Sequence, residues 1–238
     1  MAFISLLLLL GLGAITRREN NTQKRAFSIL GVILVSLVIV MLITAYHRLV
    51  LNETAYGFSR LRTYTHVFMI WLGLLLVAVV VLEATHRERA AGLAMLLTAL
   101  GFILSLGFLN VDAFIVERNI QREVQGAGEN DVALDAQYFV NLSDDGVPPL
   151  VAAYHDESLP DSVREQVGAS LACIRSKRDQ NASPLPWQSF HFSRYAADTA
   201  LKTVDKDLDA YEITGQYYPE TVITPDGHEF SCLGDAYD

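Results

Sequence analysis

The chain has 238 residues, 51% hydrophobic and 19% charged, and a mean hydropathy of +0.27. It is too apolar for an ordinary soluble domain and too charged to lie in a membrane throughout. Residues 1–111 hold 9 basic and 4 acidic residues, whereas the rest of the chain holds 9 basic and 23 acidic residues. The net charge is therefore +5 for the first segment and −14 for the second, which excludes a nucleic-acid binder of the basic-patch kind. The high apolar content excludes a disordered chain, and 2 cysteines are too few for a disulfide scaffold.

Apolar runs dominate the first half, and a spanning helix needs about 20 apolar residues to cross roughly 30 Å of hydrocarbon. Four runs without a charged residue cover residues 2–15, 26–45, 64–82 and 90–109. The first is short, and Arg17 and Arg18 follow it, which favours a short spanning helix over a secretory signal peptide, where basic residues come first. We therefore predict a transmembrane region over residues 1–111 with three to four helices.

Basic residues set the expected orientation in the membrane. Four of them lie in residues 17–25, a short segment that the positive-inside rule places in the cytoplasm. Counting spans from there leaves six basic residues inside and five outside, which is a narrow margin. We predict a multi-pass protein of the bacterial inner (plasma) membrane whose C-terminal half is extracytoplasmic.

Small residues in the last run indicate close helix packing. Gly101 and Ser105 form a small-xxx-small pair, which lets helix backbones approach each other in lipid. Packing within the chain is the favoured interpretation, and a contact between two copies is the alternative.

The second half predicts a small, mainly α-helical acidic domain over residues 112–204. Helical spacing of apolar residues and helix start signals predict short helices over residues 134–142, 148–155, 161–178 and 186–204. Residues 205–238 form an acidic tail, in which a Pro-Asp-Gly turn between β-prone residues predicts a hairpin over residues 221–230. The predicted fold class is a membrane α-helical protein with an acidic soluble domain and a candidate C-terminal β-hairpin.

Cys173 and Cys232 are the two cysteines, 59 residues apart. Outside the cytoplasm they could form a disulfide, and closing that loop would stabilise the fold by about 4 kcal/mol. Two free thiols are an equally good interpretation, because a disulfide requires that the C-terminal half lie outside the cytoplasm, and that membrane orientation is itself only predicted.

A polar loop over residues 45–66 joins the second and third runs. Its candidate site residues, with two from the end of the last run, are Arg48, Tyr56, Arg60, Arg62, Asn110 and Asp112. Arginine offers a planar fork of donors, so this set could hold a lipid headgroup or an anionic ligand. Anchoring at the membrane interface and internal pairing are the favoured alternative, and we expect Asp112 on the same membrane face as Arg60 and Arg62.

Motifs for catalysis and metal binding are missing from the sequence. It contains no G-x-S-x-G, Walker or G-x-G-x-x-G motif. Glu83 and His86 have the spacing of half a di-iron site, but no second copy follows. We therefore predict no catalytic residue, no metal site and no cofactor.

Four stretches in this order carry a family resemblance: HRLVLNETAYGFSRLRTYTH, LNVDAFIVERNI, LDAQYFVNLSDDGVPPLV and WQSFHFSRYAADTAL. Together they resemble the bacterial family called domain of unknown function 4173, over roughly residues 26–204. The pattern falls on Arg48, Tyr56, Gly57, Arg60, Arg62, Asn110, Asp112, Asn119, Tyr138, Leu142, Asp145, Pro149, Trp187 and Arg194. The resemblance implies a polytopic bacterial inner-membrane protein of undetermined activity.

Two departures from that pattern shape the expected function. Members of that family usually carry more spanning segments upstream, so this chain resembles their C-terminal portion, and 34 residues follow Val204 here as an added tail. We expect a non-catalytic accessory or structural subunit of a larger membrane assembly. Its partners would be the lipid bilayer and other membrane protein subunits, with no nucleic acid. The alternative is a transport or membrane-enzyme component that uses the arginine-rich loop as a polar or lipid-headgroup site.

Overall fold

A computed structural model describes residues 21–85, 87, 90–125, 134–180, 190–215 and 220–233. The protein is mostly helical and divides into two compact units. The first unit comprises residues 1–52 and 64–108, and the second comprises residues 53–63 and 109–238. The predicted run over residues 2–15 and the predicted half-motif residue His86 lie outside the described residues.

Three long apolar helices correspond to the predicted runs over residues 26–45, 64–82 and 90–109. They are α1 (Asn21–Tyr56), α2 (Arg60–Ala84) and α3 (Ala91–Phe108). Each contains a segment long and apolar enough to cross a membrane, namely Ile29–Tyr56, Arg60–Ala84 and Ala91–Phe108. The prediction of three helices of spanning length and composition is confirmed.

The predicted loop over residues 45–66 is wrong in extent, because only residues 57–59 connect α1 to α2. Gly57 has a φ of 80°, a left-handed conformation that commonly ends a helix and that glycine adopts without a steric penalty. Its N–H donates to the carbonyl of Glu53 at 2.9 Å. Arg60 and Arg62 therefore lie in the first turn of α2, and Arg48 lies within α1, rather than in an extended loop.

Aliphatic side chains form the small core of the first unit. Its buried residues are Val35, Val38, Leu72, Leu75, Leu76 and Val79, which belong to α1 and α2. No residue of α3 is buried, and large apolar side chains such as Leu30 and Ile103 are exposed. The outer surface of these helices is consequently apolar.

In the described part of the second unit, five further helices make up most of the structure. They are α4 (Val111–Val124), α5 (Ala136–Phe139), α6 (Val147–His155), α7 (Asp161–Gln180) and α8 (Phe192–Val204), with 3₁₀ turns at Asp144–Gly146 and Asp207–Ala210. The predicted helices over 148–155 and 161–178 match α6 and α7 closely. The helix predicted over residues 134–142 shortens to α5, because the chain after Phe139 continues in i to i−3 turns.

A three-stranded antiparallel sheet follows the helices. Its strands are β1 (Glu212–Thr214), β2 (Thr221–Ile223) and β3 (Glu229–Ser231), in that spatial order. The hairpin of β2 and β3 confirms the prediction, and Gly227 in its turn has a φ of 86°. Strand β1 was not predicted, since its three residues are too few to show a strand pattern in the sequence.

One apolar core joins the helices of the second unit to its C-terminal segment. Fully buried side chains include Phe139 of α5, Leu150 of α6 and Leu171 of α7. Leu208 and Val222, from the acidic tail, belong to the same core. A disulfide between Cys173 and Cys232 ties α7 to the residue after β3, so the structure contains the pairing rather than the two free thiols.

Candidate functional site

Arg60 and Asp112 form the centre of a polar cluster in the second unit. Arg60 is the first residue of α2, and Asp112 lies in the first turn of α4. The arginine Nε donates to Oδ1 at 2.7 Å and its Nη2 to Oδ2 at 2.5 Å, the two-bond geometry of a strong arginine–carboxylate pair. Only 7% of the Asp112 side chain is exposed, against 33% for Arg60.

Asp112 has a third donor and is held in its ionised form. The backbone N–H of Ser143 donates to its Oδ2 at 2.7 Å. Burial acts to raise the pKa of Asp112, but the hydrogen bonds from Arg60 and Ser143, with the charge of Arg60, outweigh burial and lower the pKa below its ordinary value. The carboxylate is thus a fixed negative charge at the N-terminal end of α4, where the helix dipole favours it.

Tyr138 satisfies the first backbone amide of α2. Its hydroxyl oxygen accepts the Arg60 N–H at 2.9 Å. Asp135 positions Tyr138, because its side chain caps α5 by accepting the Tyr138 N–H at 3.0 Å. The first N–H of α2 has no acceptor within its own helix, and a side chain from α5 supplies one.

Asn119 of α4 fixes the turn between α1 and α2. Its Oδ1 accepts the N–H of Phe58 at 2.6 Å, and its Nδ2 donates to the carbonyl of Phe58 at 2.9 Å. The approach is close, since a Cβ atom added to Gly57 would lie 2.7 Å from that Oδ1. Glycine at position 57 therefore permits both the turn and the contact with Asn119.

Two further arginines bind carbonyl groups where α1 ends. Arg62 donates from Nη1 to the carbonyl of Gly57 at 2.7 Å, and its guanidinium carbon lies 5.8 Å from the centre of the Tyr56 ring. Arg122 of α4 donates from Nη1 to the carbonyl of Ala55 at 3.0 Å. Basic side chains are favourable there, because the last carbonyls of a helix lack intrahelical partners and carry partial negative charge.

A cavity of about 240 Å³ opens beside these side chains. Its walls combine polar and aromatic residues with one leucine: Tyr56, Phe58, Ser59, Leu61, Arg62, Asn119, Arg122, Asp135 and Tyr138. All of these residues belong to the second unit. Ser59 also serves as the cap of α2, since its Oγ accepts the Arg62 N–H at 3.5 Å.

The structure brings together some of the predicted site residues but not all of them. Tyr56, Arg60, Arg62 and Asp112 belong to the polar cluster and cavity just described. Arg48 is exposed on the part of α1 that belongs to the first unit. Asn110 is exposed immediately before α4 and makes no side-chain cap.

Several residues of the cluster were not among the predicted site residues, namely Asn119, Arg122, Asp135, Tyr138 and Ser143, although Asn119 and Tyr138 lie on the family pattern. Asn119 and Arg122 lie seven and ten positions after Asp112 on α4, so a polar stripe at helical spacing was a usable signal. Ser143 acts through its backbone N–H, which no residue type specifies. Over the described part of the chain, no group of three His, Cys, Asp or Glu residues is placed to hold a metal ion.

The family described as Domain of unknown function (DUF4153) matches residues 1–153, more than half of the 238-residue chain. The chain belongs to this family. The DUF4153 match extends past Ser143 and so includes every residue of the polar cluster. Membership of an uncharacterised family is confirmed, and the specific resemblance to family 4173 stays a prediction.

No curated protein and no solved structure matches the chain significantly.

Proposed function

We propose that this DUF4153 protein is an integral membrane protein whose helices α1, α2 and α3 cross the lipid bilayer. Large apolar side chains on their surfaces support this, since exposed leucine and isoleucine are unfavourable in water and favourable in hydrocarbon. Helix α3 supports it most directly, because none of its residues is buried by protein.

Its role in the membrane is non-catalytic, as an accessory or structural subunit of a larger assembly. The observation that carries this proposal is that the central polar groups bind one another. Asp112 accepts three hydrogen bonds from Arg60 and Ser143, and Asn119 uses both ends of its amide on Phe58. This pattern is typical of a structural joint, which here holds the turn between the first two apolar helices within the second unit.

Isolation of the full chain in a mild detergent tests the subunit role. A second membrane protein in fixed stoichiometry, retained through two detergents and measured by native mass spectrometry, is the expected result. The variant Asp112→Asn, which weakens the joint, should reduce the retained amount more than Asp226→Asn at an exposed turn. A monodisperse monomer with unchanged cell physiology on deletion would count against the proposal.

The second unit faces the extracytoplasmic side in this proposal. The disulfide supports that orientation, because such bonds persist in oxidising compartments and are rare in the cytosol. Labelling intact cells with a membrane-impermeant thiol reagent tests it. Cys173 and Cys232 should be labelled in intact cells only after reduction, whereas labelling that requires cell lysis would reverse the orientation.

A transport or membrane-enzyme role is the second candidate function. The cavity favours it, because Arg62 and Arg122 both line a volume of about 240 Å³. Replacing Arg62 by glutamine should then impair cell physiology without loss of the folded protein. Normal physiology of Arg62→Gln cells would remove this candidate.

A further inference from the structure

The polar cavity combines positive charge with several hydrogen-bond donors. Its described lining includes two guanidinium groups, from Arg62 and Arg122, and a single carboxylate, from Asp135. Asp135 is exposed and already accepts the Tyr138 N–H as the cap of α5. Two guanidinium groups therefore border this space beside one carboxylate, and guanidinium N–H groups are donors that suit an anion.

Arg62 differs from Arg60 in its charge environment. Arg60 is neutralised by Asp112, whereas no carboxylate in the described part of the chain forms an ion pair with Arg62. Its Nη1 is fixed on the Gly57 carbonyl, and its guanidinium lies over the Tyr56 ring. The group is thus held in place, and among the described residues neither its Nε nor its Nη2 has a hydrogen-bond acceptor. A planar donor fork of this kind suits tetrahedral oxyanions.

We propose that this cavity binds a phosphate group, with Arg62 as the principal ligand and Arg122 as the second positive group. The hydroxyl of Ser59 and the amide of Asn119 line the same space and provide neutral polar contacts. A volume of about 240 Å³ far exceeds the ~10–15 Å³ that one water needs. The same chemistry fits inorganic phosphate and the phosphate of a lipid headgroup. The site is independent of whether the protein acts as an accessory subunit.

Calorimetric titration of inorganic phosphate into the full chain, held in a phosphate-free detergent solution, tests for free phosphate as the ligand. Native mass spectrometry of the protein released from nanodiscs of phosphatidylglycerol or of phosphatidylcholine tests for a lipid headgroup. Saturable phosphate binding without retained lipid would identify free phosphate, and retained phosphatidylglycerol would identify the headgroup. If neither binds to the wild-type chain, the proposal is overturned.

Matched variants connect binding to the cavity. Arg62→Gln should weaken binding at least about tenfold, because a charge-assisted contact is lost. Arg118→Gln removes the same charge from an exposed position of α4 outside the cavity and should leave binding unchanged. Equal binding by wild type and Arg62→Gln would overturn the site.

A second substitution covers the case in which Arg62→Gln fails to fold, since Arg62 also holds the Gly57 carbonyl. Arg62→Lys retains the charge and a donor for that carbonyl but loses the planar fork. We expect it to fold and to bind several-fold more weakly than wild type. Tyr56→Ala removes the ring beside Arg62 and should also weaken binding. If both Arg62→Lys and Tyr56→Ala bind phosphate as well as wild type does, Arg62 is not the principal ligand.

Discussion

Arg60 and Asp112 lie 52 residues apart in the sequence and meet through two parallel hydrogen bonds. Arg60 begins an apolar helix of spanning length, and Asp112 lies in the first turn of the helix that follows the last such segment. The pair therefore joins the turn between α1 and α2 to α4 within the second unit. The boundary of the charge asymmetry, at residue 111, thus coincides with this joint.

Replacing Asp112 by asparagine should destabilise the second unit by about 2 kcal/mol. The substitution leaves Arg60 without its carboxylate in a partly buried site, and one-third exposure of Arg60 reduces the penalty below that of a fully buried pair. Chemical unfolding in detergent, with Asp226→Asn as the exposed control, measures the difference. Equal stability of the two variants would contradict a structural role for the pair.

Exchanging the two charges should restore only part of this stability. The double variant Arg60→Asp with Asp112→Arg recreates an ion pair, but an arginine at 112 cannot accept the Ser143 N–H that now donates at 2.7 Å. The double-mutant cycle should give a favourable coupling energy, but the double variant should remain less stable than wild type. Complete recovery would mean that the Ser143 contact contributes little.

Acid should weaken the second unit through the same residue. The pKa of Asp112 in the folded chain lies below the ordinary value of 3.8, so the folded state binds fewer protons than the unfolded state near that pH. Its contribution is fully present above 3.8 and is lost as the pH falls through the lower, folded value. Thermal unfolding of wild type between neutral and strongly acidic pH should show a fall in this range. In Asp112→Asn that part of the fall should be absent.

The sequence could predict the apolar helices and one partner pair, but not the way the cluster is built. Charge-free runs predict the positions of α1 to α3, because a helix of spanning type is recognised from its length and apolar composition alone. The contact of Asn119 with Phe58 depends on two backbone groups and a left-handed Gly57, which residue types do not specify. Strand β1 likewise depends on pairing with β2 rather than on its own pattern.

Gly57 and Gly227 provide a matched pair for testing the turn. Both have left-handed φ values, of 80° and 86°, so alanine carries a similar backbone penalty at each position. A Cβ at 57 would also lie 2.7 Å from the Asn119 Oδ1, whereas nothing lies within 4 Å of one at 227. Gly57→Ala should therefore destabilise by about 2 kcal/mol more than Gly227→Ala, because Asn119 must give up a hydrogen bond. Equal unfolding free energies of the two variants would show that the contact between Gly57 and Asn119 does not contribute to stability.

Reduction of the disulfide should destabilise the second unit substantially. The bond between Cys173 and Cys232 spans 59 residues, and closing a loop of that length stabilises by about 4 kcal/mol on the chain-entropy model. Unfolding of wild type with and without reductant measures the effect. The double variant Cys173→Ala with Cys232→Ala should match reduced wild type and show no response to reductant. A response of that variant would trace the effect to the reagent.

The small-residue pair in α3 accounts for a contact within the chain. Trp71 of α2 donates from Nε1 to the Ser105 Oγ at 2.9 Å. A Cβ at Gly101 would overlap the same ring, at a distance that real Cβ atoms do not show. Gly101→Ala should therefore destabilise the first unit by about 1–3 kcal/mol through overpacking. Gly107→Ala, where a Cβ meets open space, should be neutral or stabilising, since alanine favours helices over glycine. Thermal unfolding of both variants, with sedimentation to follow their oligomeric state, distinguishes the two interpretations of the pair. Unchanged stability of Gly101→Ala with loss of a dimer would instead assign these small residues to a contact between copies.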